Sequence, residues 1–154
     1  MSIDNRLAEL GITLPEAAAP VASYVPYVEV NGLLHVSGQI SFAEDGSLIT
    51  GRLGENLDLE AGQAAARRCG IMLLAQLRNA LGSLDRVERI VKLGVFVNSA
   101  GAFTDQPKVA DGASTLMGEI FGEAGSHARA AVGVPALPLG AAVEIDAVVA
   151  VKAD

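Results

Sequence analysis

The dipeptide Asn31-Gly32 stands between two β-type runs, YVEV and LLHVSGQI. Both residues tolerate the positive φ that a two-residue hairpin turn needs, so the pair predicts a tight antiparallel hairpin. A chain with this feature must build at least part of its core on an antiparallel sheet. Downstream, GSLITGRL follows a turn at Glu44-Asp45-Gly46 and is expected to add a third short strand.

The segment from Asp58 to Leu81 changes period. Ala66, Gly70, Leu73, Leu77 and Leu81 recur at three- and four-residue steps, which makes one apolar stripe along a helix. Asp58 suits the N-cap, Gly82 suits the stop, and Arg67, Gln76 and Arg78 lie off the stripe. RIVKLGVFVNS alternates at Val91, Leu93, Val95 and Val97 and reads as a strand. A second helix is expected from Pro107 towards Gly122 and Gly125, and two closing runs lie within HARAAVGVPALPLGAAVEIDAVVAV. At the N-terminus, Ile3, Leu7 and Leu10 predict a short helix stopped by Gly11, and TLPEAAAPVASYVP reads as an irregular connector.

This order predicts a single α+β domain, with about six strands in a mixed sheet and both long helices on one face. Residues 1–23 form the N-terminal helix and connector, and residues 24–154 the main body. Runs such as LGVFV and DAVVAV are apolar on both sides, so the uncovered sheet face is poorly suited to water. A symmetric oligomer would cover it. Aromatics make up 4% of the chain, so Ala, Val, Leu and Ile must fill the core.

Charge and motif content exclude several functions. The net charge of −7 disfavours nucleic acid as a partner, because affinity for that polyanion rests on clustered Lys and Arg. Asp4, Arg6 and Glu9 stand where a secretory signal would be apolar, and no uncharged apolar stretch is long enough to span a membrane. With Cys69 the sole cysteine, a cytoplasmic location is expected, and that thiol reads as a small buried hydrophobe. No phosphate loop, dinucleotide fingerprint or nucleophile elbow is present. His35 and His127 are the only histidines, and neither has companions at metal-ligand spacing, so no metal and no cofactor are expected.

Two permanent charges remain in the closing runs, Arg129 and Glu144. Arg129 could be a structural ion-pair partner. Its neighbours Ala128, Ala130, Ala131 and Gly133 are small, however, and leave room for a planar fork to grip a carboxylate bidentately. His127 falls two residues before it and would share its face on a strand.

Three blocks give this chain a family likeness: YVEVNGLLHVSGQI, RIVKLGVFVNS and HARAAVGVPALPLGAAVEIDAVVAV. Together they resemble the Rid family of reactive-intermediate deaminases, also called YjgF or endoribonuclease L-PSP-like. The last block, Ala-Arg followed by Leu-Pro and a Glu-Ile-Asp strand, is the specific one. The resemblance implies a chorismate-mutase-like fold, a homotrimer around a central barrel, and clefts between subunits. It implies hydrolysis of 2-imino and 2-enamino acids to 2-oxo acids and ammonia without a cofactor. In that frame Arg129 would hold the substrate carboxylate and Glu144 would orient or activate water. Tyr24, Ser37 and Ser114 would complete the pocket. Ala131 replaces a cysteine frequent in the family, which removes a reactive thiol. From the residues alone, Tyr24 could instead be a packing aromatic, Ser37 a turn hydroxyl and Ser114 a group bonded to its own helix. A trimer that binds small carboxylates without catalysis is the alternative. The acidic charge and the lack of a histidine pair argue against a ribonuclease, and only fold analogy suggests a chorismate mutase.

Overall fold

The computed structural model describes residues 2–20 and 22–154. Its elements run α1 (Ile3–Glu9), β1 (Tyr27–Val30), β2 (Leu33–Ile40), α2 (Leu59–Leu81), β3 (Val87–Asn98), α3 (Gln106–Phe121), β4 (Ala128–Val134) and β5 (Val143–Val151). The sheet order is β1-β2-β5-β3-β4. Only β3 and β4 are parallel, joined through α3, and the remaining pairs are antiparallel. Both long helices lie on one face, α2 over β2 and β5, α3 over β3 and β4, and they pack against each other.

Local chemistry explains most of these elements. Asn31 (φ 53°) and Gly32 (φ 76°) turn the hairpin and pair Val30 with Leu33. The Asp58 carboxylate caps α2 by accepting from the Ala61 N–H, and Gly82 ends it in the left-handed region. Leu73 and Leu77 of α2 meet Leu93 of β3 and Ile145 of β5 in the core, all buried to within 1%. Each such side chain contributes roughly 1.5–3 kcal/mol by leaving water.

The described sheet has five strands, not about six. The segment GSLITGRL makes only isolated bridges, Leu48 with Phe42, Thr50 with Ala141, and Leu53 with Leu57 and Ser99. Ile49 donates to Ser41 and accepts from Ala142, so the segment touches two elements in turn and builds a ladder with neither. Gly51 (φ 131°) then turns it away. A second difference lies in β3, where Ile90 is buried and Val91 exposed. The β3–β5 register shifts between Ile90 and Lys92, and a one-residue shift reverses which side chains face the core.

Gln76 departs furthest from expectation. It sits off the apolar stripe yet is only 1% exposed. Its Nε2 donates to the Ala18 carbonyl at 2.7 Å, so the N-terminal connector lies across this side of α2. The opposite face of the sheet is open in the single chain and displays Val28, Val30 and Val132, each about half exposed. Among the described residues, no helix is long and apolar enough to cross a membrane.

Candidate active site

The predicted site residues fall into two clusters. The first surrounds a cavity of about 710 Å³ lined by Tyr24, Ser37, Gly38, Phe42, Leu139 and Glu144, among others. A bulge in β2 creates it. Val36 pairs with Ala147 and Gln39 with Ile145, so Ser37 and Gly38 together oppose Asp146. The bulge reverses the strand's phase: Leu34 and Val36 face the helices before it, Gln39 faces them after it, and Ile40 turns to the open face beside Glu144. Bulges commonly re-aim side chains beside functional sites in this way.

Glu144 alternates with Val143 and Ile145, which are fully buried under the helices, so its carboxylate projects from the open face. That carboxylate lies flat over Gly38, where a Cβ would overlap Oε2. Burial, and secondarily the nearby Asp146 carboxylate, raise the Glu144 pKa from its ordinary value. A half-buried carboxyl with a raised proton affinity suits a general base. Gly38→Ala is expected to displace this carboxylate while sparing the fold, because the atom it meets is the free end of a flexible side chain. For a reaction that uses Glu144 as its base, the expected result is a loss of turnover of about tenfold or more with an unchanged melting temperature, since misplacing such a group by about 1 Å is costly.

Ser37 is committed to structure. Its hydroxyl donates to the Val25 carbonyl at 2.8 Å, and its N–H donates to the Pro26 carbonyl at 2.9 Å. It therefore anchors the connector against β2 and fixes Tyr24 at the cavity mouth.

The second cluster centres on Arg129 of β4. Arg129 pairs in register with Leu93, which is buried beneath the helices, so it projects to the helix side and reaches α3. Arg129 and Glu144 thus occupy opposite faces of one sheet. The unpaired guanidinium that the sequence suggested is not what the structure shows. Nη1 donates to Asp111 Oδ1 at 2.8 Å and to Ser114 Oγ at 3.0 Å, and Nη2 donates to the Pro107 carbonyl at 3.2 Å. The reading of Arg129 as an ion-pair partner is correct for the single chain. The side chains of Arg129 and Asp111 are 22% and 58% exposed, so water screens the pair and its net worth is at most about 1 kcal/mol. Nε has no acceptor among the described residues.

Ser114 links Arg129 to His127, whose Nε2 lies 2.9 Å from Ser114 Oγ. His127 Nδ1 lies 2.6 Å from the Gly125 carbonyl, which can only accept, so Nδ1 carries the proton. In the neutral ring Nε2 then accepts from the Ser114 hydroxyl, while that oxygen accepts from Arg129. His127 and Arg129 do share a face, and Ser114 bonds to them rather than to its own helix. Sequence reasoning missed Asp111. Its position one helical turn before Ser114, on the same side of α3, is the signal that would have found it. Cys69 is buried, with burial raising its thiol pKa, and it donates to the Val143 carbonyl at 3.3 Å.

The YjgF/chorismate_mutase-like family model, which also bears the name endoribonuclease, matches residues 4–149. The chain is 56% identical to protein TCP17 of Trypanosoma cruzi, over 93% of this chain and 90% of that protein. It is 29% identical to the 2-iminobutanoate/2-iminopropanoate deaminase of Dermatophagoides farinae, over 92% of this chain and 95% of the relative. The crystal structure of Agrobacterium tumefaciens Atu1372, a protein of unknown function, superposes with a TM-score of 0.90 at 44% identity, covering 97% of this chain and 92% of that one. The family model covers nearly the whole chain, and the chain belongs to the YjgF/chorismate mutase-like family.

Proposed function

We propose that this protein hydrolyses 2-imino and 2-enamino acids to 2-oxo acids and ammonia in clefts between the subunits of a homotrimer. The observation that carries the reading is Glu144, a half-buried carboxyl with raised pKa and the one charged residue lining an otherwise uncharged cavity. The relative named as an imine deaminase supports the same chemistry. Arg129 lies on the other face of the sheet and on an edge strand, so in this reading a second subunit brings its fork to the cavity. The exposed valines of the open face supply the surface for that association.

The substrate carboxylate docks on the Nε edge of Arg129, which Asp111, Ser114 and Pro107 hold in place. Water attacks the C=N carbon of the protonated imine as Glu144 takes its proton, and the C=N π pair passes to nitrogen to give a neutral carbinolamine. The proton on Glu144 moves to that nitrogen. The C–N bond then breaks, ammonia leaves with the pair, and the hydroxyl proton returns to Glu144 as the carbonyl forms. An imine is already electrophilic, so positioning plus one base suffices.

The test generates imines in situ with an amino-acid oxidase and follows ammonia release. Acceleration by the protein, absent with Glu144→Gln, is the expected result. Tight 2-oxo acid binding without acceleration would instead mark a non-catalytic carboxylate binder.

A further inference from the structure

The connector between α1 and β1 has no regular secondary structure, yet it is fastened at both ends. Gln76, buried in the side of α2, donates to the Ala18 carbonyl, and Ser37 takes two bonds at Val25 and Pro26. Gln76 Nε2 also lies 3.3 Å from Gln39 Oε1, and Gln39 Nε2 donates to the Ser37 carbonyl at 3.0 Å, so one amide chain ties both anchors together. The connector runs beside Ser37–Ile40, the part of β2 that β1 leaves unpaired. Burying a glutamine in the core side of a helix has a solvation cost that a merely loose tail would not explain.

Between these anchors the connector forms one wall of the cavity, through Ala18, Ala19, Pro20, Ala22 and Tyr24. Ile40, Phe42 and Leu139 form the wall across from it. The small residues of the connector leave volume where larger ones would fill it. The space of about 710 Å³ lies within the roughly 300–1,000 Å³ usual for small-molecule sites.

Its electrostatics set the orientation of a ligand. Among the lining residues only Glu144 is charged, and none is cationic. A carboxylate would be repelled from this cavity and must stay at the mouth, where the proposed mechanism places Arg129. The part of the substrate that enters is uncharged.

We infer that the connector builds a side-chain compartment beside Glu144, and that the preferred substrates are 2-imino acids with bulky aliphatic or aromatic side chains. This rests on the deaminase reading for the reaction, but the compartment can be tested by binding alone. Relative to an alanine-derived acid, a leucine-derived one places three more carbons in the cavity. Burying them should strengthen binding about tenfold or more.

The experiment titrates the full chain with pyruvate, 4-methyl-2-oxopentanoate and phenylpyruvate by calorimetry, alongside Ala22→Trp and Ala19→Trp. Both alanines are exposed residues of the connector, so the indole fills the compartment without disturbing the core. The wild type should bind the two bulky acids at least about tenfold tighter than pyruvate. Each variant should lower that preference to about threefold or less, with pyruvate affinity held within about twofold. Equal affinity for all three acids, binding of none, or an equal loss for all three in both variants would overturn the compartment. Bulky acids bound in the expected order without ammonia release from imines would keep the compartment and reject the deaminase. Equal turnover of alanine- and leucine-derived imines would do the reverse.

Discussion

Arg129→Ala is expected to abolish measurable 2-oxo acid binding. Two hydrogen bonds from the fork to a carboxylate contribute roughly 1.5–3 kcal/mol each, so their loss weakens affinity about a hundredfold or more. Arg129→Lys keeps the charge but presents a point rather than a fork, and should recover only a small part of the loss. Neither change should unfold the protein. The bonds to Asp111 and to the Pro107 carbonyl are exposed, and the bond to Ser114 is only partly buried. Calorimetric titration with 4-methyl-2-oxopentanoate, read beside the melting temperature, separates the two effects. Unchanged binding in Arg129→Ala would remove the anchor from the proposal and leave Arg129 as a β4–α3 strut.

Glu144→Gln is expected to lower turnover about a hundredfold to ten-thousandfold, the usual worth of a general base, while retaining 2-oxo acid binding. The pH profile should carry the signature of this residue. Catalysis needs the ionised carboxylate, and the fold raises the pKa above its ordinary 4.5, so activity should rise with pH through that elevated value. The glutamine variant should lack this limb. Stability should run the other way. Folded Glu144 retains its proton where the unfolded carboxyl has lost it, so its contribution is full below the unfolded pKa and is lost as pH rises through the folded one. Urea denaturation at neutral pH should therefore find Glu144→Gln at least as stable as the wild type, with the difference vanishing in acid. A variant with undiminished ammonia release would place the base elsewhere.

The residues that the family resemblance singles out do not all meet in the single chain. Tyr24, Ser37 and Glu144 share a cavity, whereas Arg129 and Ser114 share the far side of the sheet. The alternation of β4 and β5 forces this. Arg129 aligns with Leu93 and Ala147 on the helix side, while Glu144 lies between two residues of that side and so points away. Sequence resemblance could name all five residues because it matches motifs along the chain. It could not show that a sheet separates them, because that depends on how three distant segments align in register.

Gln76 and Asp111 teach the same lesson at smaller scale. Off an apolar stripe, a glutamine reads as solvent-facing until a connector from the N-terminus crosses it and offers the Ala18 carbonyl. An aspartate on an exposed helix face reads as a solvated charge until a strand residue 18 positions later reaches it. In both cases the partner is remote in sequence: the helical period sets Asp111 beside Ser114, but no local period supplies Arg129 or the Ala18 carbonyl.

The sequence by itself determined the hairpin at Asn31-Gly32, the span of α2 between Asp58 and Gly82, the burial of the α2 stripe and the family. Each rests on a local signal: a dihedral preference, a capping group, a spacing that places side chains on one face, or a motif. Tertiary structure alone decided that GSLITGRL is no strand, that Val91 yields the core to Ile90, that Arg129 is paired, and that the connector walls the cavity beside Glu144. Those outcomes depend on which remote segment occupies a face, and that is fixed by packing and register rather than by the residues of the segment itself.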